Sequence, residues 1–340
     1  MKIYGITITP TSPFGTPLKG DTLFGHFCWQ AVENPELLQG GLDSRIADYG
    51  TKPFAVFSSA WPVLQQKGET VYALPRPYGL DLAVNELMSR KERIQYNKAA
   101  KKKKWLLADT SMKIELRDEQ LQSDGELFNL FLKTQAAEDA KPLRLLPKGQ
   151  KKLCTPVTQP HNSINRLTMT TGSGEFAPFS HENFQFLPGL RLIIFAAVDQ
   201  KVLGPDQLQN AFEGIGRWGF GRDASTGLGR FSVESVQEQH WPQVKDSDTA
   251  CFTLGPSVPA KKMFVRCHAE PFTRFGRHGS VLARSANPFK KPVIMADEGA
   301  ILFPADREVF TKPYIGTAVQ NVSAVDERTV VQGYSLYLPC

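Results

Sequence analysis

In the first part of the sequence, the spacing of apolar residues changes from that of a strand to that of a helix. Alternating apolar residues predict a strand over 2–9, and the Pro- and Gly-rich stretch over 10–20 is typical of a loop. Asp21 is the predicted N-cap of a helix over about 22–33, whose apolar residues recur at i and i+4. Gly25 lies inside this helix, where glycine costs about 1 kcal/mol relative to alanine. We therefore expect either close packing or a close ligand beside it.

Further apolar runs continue the same alternation of strands and helices. Short runs predict strands at 53–58 and 71–74, and the run LRLIIFAAV over 190–198 predicts a buried strand. Pro205 suits the first turn of a helix, which we expect to end at Gly214. A glycine-rich loop and the strand RFSVESV follow.

The order of these elements is that of a split βαβ, ferredoxin-like unit, which is also the topology of the RNA-recognition fold. We predict an α+β protein with two such domains: 1–240, with a large insertion over about 85–185, and 251–340 as a modified second copy. A polar linker over 241–250 separates them. The second domain is predicted from four short strands, around 252–258, 262–270, 299–304 and 329–338.

Composition narrows the class of partner and the compartment. The chain has 340 residues, a net charge of +6 and a pI near 9.0, which favours a polyanionic partner. No apolar run is long enough to span a bilayer, and the first residues lack a signal-peptide pattern. An odd number of scattered cysteines predicts neither a disulfide framework nor a zinc site and fits a reducing cytoplasm: Cys28, Cys154, Cys251, Cys267 and Cys340.

The loop GIGRWGFGRDASTGLGR over 214–230 is the strongest candidate site. Glycine lets the backbone approach a ligand, and successive N–H groups in such a loop form an anion-binding nest. The loop holds six glycines: Gly214, Gly216, Gly219, Gly221, Gly227 and Gly229. Its arginines and hydroxyls suit phosphate, whereas Trp218 and Phe220 are expected either to stack on bases or to anchor the loop. The spacing fits neither a Walker A loop nor a dinucleotide fingerprint. The alternative is an ordinary long turn.

His26 lies on the first predicted helix, away from its main apolar face. Three interpretations stay open: contact with RNA, a structural histidine, or the general acid or base of a metal-free ribonuclease. No second catalytic partner is evident in the sequence. No cluster of His, Asp or Glu has the spacing of a metal site, so we expect no metal and no cofactor.

Two polar segments in the insertion are further candidates for RNA contact. In HNSINRLT over 161–168, asparagine amides and the fork of Arg166 suit kinked single-stranded RNA, although asparagines also cap their own loops. The basic segment over 90–105 could follow an RNA backbone or be a solvated helix or a disordered loop.

Four motifs resemble one protein family. The glycine-rich loop that runs into Ser/Thr-Gly-x-Gly-Arg-Phe resembles the signature of the RAMP proteins of CRISPR systems. KGDTLFGHFCW over 19–29 is similar to the fourth subunit of the type III-A (Csm) effector complex. HNSINRLT resembles a stretch in that subunit's inserted thumb, and FKKPVIMADEGAILF over 289–303 resembles its second domain.

The resemblance implies a non-catalytic, cytoplasmic RNA-binding subunit. Such a subunit has two ferredoxin-like domains and a thumb-like insertion, grips the 5′ repeat-derived tag of the CRISPR guide RNA (crRNA), and bridges the large polymerase/nuclease (Cas-ten-type) subunit to a backbone RAMP subunit. Asp223 departs from the family pattern, in which that position is often basic, and it would repel phosphate unless it is paired. The alternatives are a metal-independent endoribonuclease of CRISPR repeats that uses His26, and a scaffold that binds only protein.

The RNA-binding residues predicted from the loop, the first helix and the thumb motif are Lys19, Thr22, His26, His161, Asn165, Arg166, Arg217, Gly219, Phe220, Gly221, Arg222, Ser225, Thr226, Gly227, Leu228, Gly229 and Arg230.

Overall fold

A computed structural model describes residues 1–79, 91, 98, 101–116, 121–172 and 174–340. In these ranges the helices are α1 (Gly20–Glu33), α2 (Leu42–Ala47), α3 (Asp124–Lys133), α4 (Ala137–Arg144) and α5 (Pro205–Trp218). The strands are β1 (Lys2–Pro10), β2 (Ala55–Gln66), β3 (Glu69–Pro75), β4 (Lys103–Asp109), β5 (Leu121–Ser123), β6 (Cys154–His161), β7 (Phe179–Phe186), β8 (Arg191–Val198), β9 (Phe231–Glu238), β10 (Cys251–Thr253), β11 (Phe264–His268), β12 (Pro271–Arg274), β13 (Val293–Ala296), β14 (Ile301–Pro304), β15 (Tyr314–Gly316) and β16 (Tyr334–Pro339). Among the described helices, none is long and apolar enough to cross a membrane.

The larger sheet holds seven of the described strands, in the order β5-β4-β3-β2-β8-β1-β9. β1 lies between β8 and β9 and is antiparallel to both. Within this sheet, β2-β8-β1-β9 is the strand order of a split βαβ unit, with α1 following β1 and α5 following β8. Both helices contact the sheet and each other, and they bury Phe27 and Phe212 against Phe57. The predicted α+β class is confirmed.

The N-terminus of α1 differs from the sequence prediction. The helix begins at Gly20 and its N-cap is Lys19 rather than Asp21. A Cβ on Gly20 would lie 2.2 Å from the carbonyl oxygen of Phe57, so only glycine allows the helix to start this close to β2. Asp21 does not cap the helix because its carboxylate is buried and accepts two hydrogen bonds from the Arg274 guanidinium.

The predicted end of α5 at Gly214 is wrong. The helix continues to a C-cap at Gly219, which has a φ of 97°. Gly214 and Gly216 serve close packing within the helix instead. A Cβ on Gly214 would meet the side chain of Gln30 at 2.0 Å, and one on Gly216 would meet the Phe231 carbonyl oxygen at 2.2 Å.

The insertion between β2 and β8 first extends the larger sheet and then leaves it. β3, β4 and β5 continue the sheet outward from β2. A capping box between Ser123 and Glu126 starts α3, and α4 follows. The chain then forms the two-stranded hairpin β6–β7, hereafter the thumb hairpin. Most of the basic segment over 90–105 lies outside the described residues.

The second sheet, order β11-β14-β10-β16-β15, packs on an irregularity in β2. There the Ser59 N–H donates to the Leu254 carbonyl at 2.9 Å, and the Gln332 side chain bonds both backbone groups of Phe57. All residues over 251–340 are described, and their only helical segments are two short 3₁₀ turns. This unit therefore has the predicted strands without the two α-helices of a ferredoxin-like unit.

Candidate nucleic-acid interface

The glycine-rich loop is shaped largely by its own packing. Four of its glycines have positive φ angles: Gly219, Gly221, Gly227 and Gly229. A Cβ on Gly229 would lie 2.1 Å from the Phe220 carbonyl oxygen, and one on Gly221 would lie 2.5 Å from Thr16. A Cβ on Gly227 would meet nothing within 4 Å. Gly227 therefore faces open space, whereas Gly219, Gly221 and Gly229 are required by the close approach of the protein's own chain.

Phe220 anchors the loop from inside. Its side chain is fully buried, and its ring centroid lies 4.7 Å from that of His26 and 6.4 Å from that of Phe14. The Phe220 N–H donates to the Gly229 carbonyl, which closes the loop at its base. Between the two alternatives for Phe220, the structure selects anchoring, since a buried ring is not available to stack on a base.

His26 also supports the loop. Its Nε2 accepts a hydrogen bond from the Gly221 N–H at 3.0 Å, so this nitrogen carries no proton. Burial, with a smaller contribution from the nearby Lys290 charge, lowers the pKa of His26 to about 4. The ring is therefore neutral at pH 7. These contacts favour the structural interpretation over the catalytic one.

The depressed pKa predicts acid-sensitive stability. The unfolded chain binds a proton at His26 below about pH 6.5, but the folded chain does so only near pH 4. Stability should therefore fall as the pH drops through this window, by about 2 kcal/mol between pH 7 and 5. In His26→Gln an amide oxygen can replace Nε2 as acceptor without titrating, so denaturant unfolding should show this loss in the parent and a smaller one in the variant. Equal losses of stability in the parent and in His26→Gln would show that His26 is not the source of the acid sensitivity.

Arg222 ties the glycine-rich loop to the thumb hairpin. Its guanidinium donates to the Glu182 carbonyl at 2.7 Å and to the Asn183 side-chain oxygen at 3.0 Å. It also lies 3.3 Å from Oδ2 of Asp223, and Nδ1 of His181 lies 3.4 Å from the same oxygen. Asp223 is thus paired within the protein. Arg222 therefore positions the glycine-rich loop against the thumb hairpin, a role that the sequence did not reveal.

The exposed side of the loop carries the other predicted groups. Arg217, Ser225, Thr226 and Arg230 are exposed, and Trp218 keeps 67% of its surface accessible. The Arg230 guanidinium donates to the Arg217 carbonyl at 2.6 Å, near the end of α5. Leu228 is half-buried. An external ligand can reach this side without rearrangement of the loop.

Lys19 is held by the second unit. Its ammonium pairs with Asp297 and, at 3.0 Å, with Glu298, and it lies 4.6 Å from the Phe272 ring centroid. Only 15% of the side chain is exposed. A direct phosphate contact by Lys19 is therefore a poor fit, because the Asp297 carboxylate already pairs with its charge. Burial and the neighbouring Asp297 together raise the pKa of Glu298 to about 8.

A groove of about 760 Å³ lies between the loop and the second unit. Its first wall combines α1 with the loop and contains five of the predicted residues: Thr22, His26, Gly221, Arg222 and Ser225. The opposite wall is the segment over 274–290, which sequence analysis did not assign to the site. It contributes the cationic side chains of Arg274, Arg277 and Lys290. The sequence does contain a pattern that could have indicated this wall, because the segment over 274–290 interleaves basic residues with glycine, as the glycine-rich loop does.

The thumb hairpin holds the remaining candidates. His161 stacks on Phe179 with ring centroids 5.2 Å apart, and His181 lies 5.0 Å from both rings. Beyond them, Asn165 accepts a hydrogen bond from its own loop at the Leu167 N–H, as the self-capping alternative predicts. Three candidates of the thumb motif, His161, Asn165 and Arg166, do not line the groove.

The tip of the thumb hairpin exposes large apolar side chains, which are Ile164, Leu167 and Met169. Within the described ranges, no group of three or more His, Cys, Asp or Glu side chains is arranged to hold a metal ion.

Solved structures have the same fold. The chain is similar to one in the crystal structure of a Csm3-Csm4 subcomplex of the type III-A CRISPR-Cas interference complex, at 14% identity and a TM-score of 0.53, covering 100% of this chain and 99% of that one. It is also similar to chains of Csm1-Csm4 cassettes in complex with pppApA and with cA4. Their identities are 17% and 16%, each with a TM-score of 0.50 over 100% of this chain and 97% of the other.

A scan against protein-family models and a search of curated proteins gave no match. The structural likenesses confirm, at the level of the fold, the resemblance that the motifs indicated.

Proposed function

We propose that this chain is an RNA-binding subunit of a type III CRISPR effector complex, and that it grips the 5′ repeat-derived tag of the crRNA. The observation that carries the proposal is the groove, where the glycine-rich loop faces a cationic segment. Its shape suits a single strand, because the phosphates can follow a positively charged channel while the bases turn towards the walls. The shared fold with chains of Csm assemblies supports the assignment to a complex.

The charges of the groove favour a polyanion. Its two carboxylates, Asp21 and Asp223, are each paired with an arginine. Arg277 has no carboxylate partner among the described residues, so its charge is available to phosphate. In addition, no protein acceptor was found in the described chain for the backbone N–H groups of Asp223 and Ser225 at the loop's outer turn.

We also propose that the subunit does not cleave RNA. The histidine that an endoribonuclease of this kind would use is neutral at pH 7 and bonds the loop through Nε2. The division into a first domain over 1–240, a linker over 241–250 and a second domain over 251–340 belongs to the same proposal, each domain supplying one wall. Docking to the large subunit and to a backbone RAMP subunit would hold the RNA end between neighbours.

Salt-dependent binding tests the proposal. In Arg277→Gln, one phosphate contact is lost, so affinity for a guide RNA should fall and the slope of log K against log salt should flatten by about 0.7. Arg284→Gln is the matched control, since Arg284 is exposed nearby but does not line the groove. Fluorescence anisotropy over a series of salt concentrations measures the affinity and the salt slope of each variant. Equal behaviour of the two variants would remove the groove from the RNA site.

The same RNA, incubated with the parent chain with and without EDTA, tests the absence of cleavage. Intact RNA that is shifted in a gel supports the proposal. Cleavage that is lost in His26→Ala would replace it with the endoribonuclease alternative, and neither a shift nor cleavage would favour the scaffold that binds only protein.

A further inference from the structure

A second cavity opens beside the groove. Its volume is about 260 Å³, and its walls are mainly apolar, with Val32, Leu42, Ile46 and Val281 among them. The two cavities share a boundary made by the residues that line both: Gly25, Trp29, His278, Lys290 and Val330. A strand lying in the groove therefore passes directly over the mouth of this second cavity, hereafter the side pocket.

Because Gly25 has no side chain, the boundary between the groove and the side pocket is open at this position. A Cβ at this position would meet nothing within 4 Å, so close packing does not account for a glycine in the middle of α1. Glycine there costs about 1 kcal/mol relative to alanine. Of the two explanations considered for Gly25, the structure leaves the one that involves a ligand, because the missing side chain widens the passage between the cavities.

Lys290 supplies the polar group at the boundary. No hydrogen bond or ion pair of its ammonium is found among the residues that the structure describes, although it lines both cavities. Burial lowers its pKa, and the nearby Cys28 and Asp21 only partly offset this. Asp21 is already paired with Arg274, so a ligand that offers hydrogen-bond acceptors would satisfy Lys290.

The remaining charges at the side pocket are already paired. Arg328 binds Asp326 and Asp43 at 2.9 Å each, and His278 bonds Ser323 at 2.8 Å. The occupant should therefore be flat and largely apolar, with acceptors on one edge. Phosphate does not fit this description, because most of the walls offer it no donors.

We propose that the side pocket receives one unstacked nucleobase of the RNA strand that lies in the groove, with the Lys290 ammonium donating to an acceptor on the edge of that base. The inference rests on the proposed function, since the groove must hold single-stranded RNA. Bases splayed out of a single strand are commonly read by a stacking surface and edge contacts, which Trp29 and Lys290 can supply.

An abasic scan of the guide RNA tests the proposal. The full chain is titrated with RNAs in which each position of the tag in turn lacks its base. In the parent, one position should weaken binding about tenfold, because a base held by stacking contributes about that much. In Val32→Trp, which fills the side pocket from a half-exposed position on α1, intact RNA should bind about tenfold more weakly and the position-specific loss should vanish. Val265→Trp, an exposed site outside the pocket, is the control.

Lys290→Met gives a second, independent test, because it keeps most of the length of the side chain and removes the donor. It should reduce the abasic loss at the same position. If RNA binds but no position is selectively weakened, or if the loss persists in both pocket variants, the side-pocket inference fails and the proposed function stands. If the parent chain binds no RNA, both fail together.

Discussion

Gly229→Ala is expected to lower the free energy of unfolding by about 2–5 kcal/mol. The added Cβ would lie 2.1 Å from the Phe220 carbonyl oxygen and 2.5 Å from its nitrogen, both of which are backbone atoms that cannot rotate away. The φ of 72° adds strain of about 1–2 kcal/mol for a residue with a side chain. Overpacking of a close contact contributes a further 1–3 kcal/mol, roughly. Urea unfolding followed by circular dichroism measures the change.

Gly227→Ala is the matched control for this substitution. Gly227 also has a positive φ, 100°, but its Cβ would meet nothing within 4 Å. The variant should lose only the conformational strain, about 1–2 kcal/mol. The difference between the two variants measures how far the loop depends on close packing with Phe220. Equal losses would mean that φ alone makes both glycines necessary.

Asp21→Ala should destabilise the protein by about 3–5 kcal/mol, because it leaves the Arg274 guanidinium half-buried without its carboxylate. The Asp21 side chain is only 3% exposed and forms hydrogen bonds of 2.6 and 2.9 Å to Arg274. Since Asp21 lies on α1 and Arg274 on β12, this pair connects the two units. Thermal unfolding of the full chain measures the loss.

An exposed ion pair between the same two units provides the comparison. Asp43 and Arg328 lie 2.9 Å apart, but their side chains are 81% and 60% exposed. Asp43→Ala should therefore cost less than about 1 kcal/mol. The double variant Asp21→Leu/Arg274→Met should be much closer to the parent than Asp21→Ala, since no buried charge is left unpaired. A loss as large as that of Asp21→Ala would instead show that the carboxylate itself organises the interface.

The central strands could be predicted from sequence because their patterns are local. The alternation in β1 follows from the side of the sheet that each residue faces, whereas the apolar run in β8 reflects burial on both faces of the sheet. The end of α5 could not be predicted in the same way. Gly214 and Gly216 are indistinguishable in sequence from a helix stop, yet they sit where Gln30 and the Phe231 backbone approach from elsewhere in the chain.

Only one wall of the candidate site could be predicted from sequence, for a related reason. The glycine-rich loop stood out as one continuous segment, but its opposite wall comes from residues over 274–290, whose position depends on the docking of two sheets. Lys19 was predicted to meet RNA from the motif over 19–29, and nothing in that local sequence reveals Asp297 and Glu298 as its partners. Pairings across more than 250 residues follow from tertiary structure, not from pattern.

The position of β1 between β8 and β9 also bears on how the chain acquires its fold during translation. β1 cannot complete its place in the sheet until Arg191–Val198 and Phe231–Glu238 have been made. At about 5–20 residues per second, that delay amounts to roughly tens of seconds. Until Arg191–Val198 has been made, Ile6 and Ile8, which are fully buried in the finished protein, have no sheet partner. A nascent chain of this topology therefore leaves these residues exposed for longer than a chain built from local hairpins would.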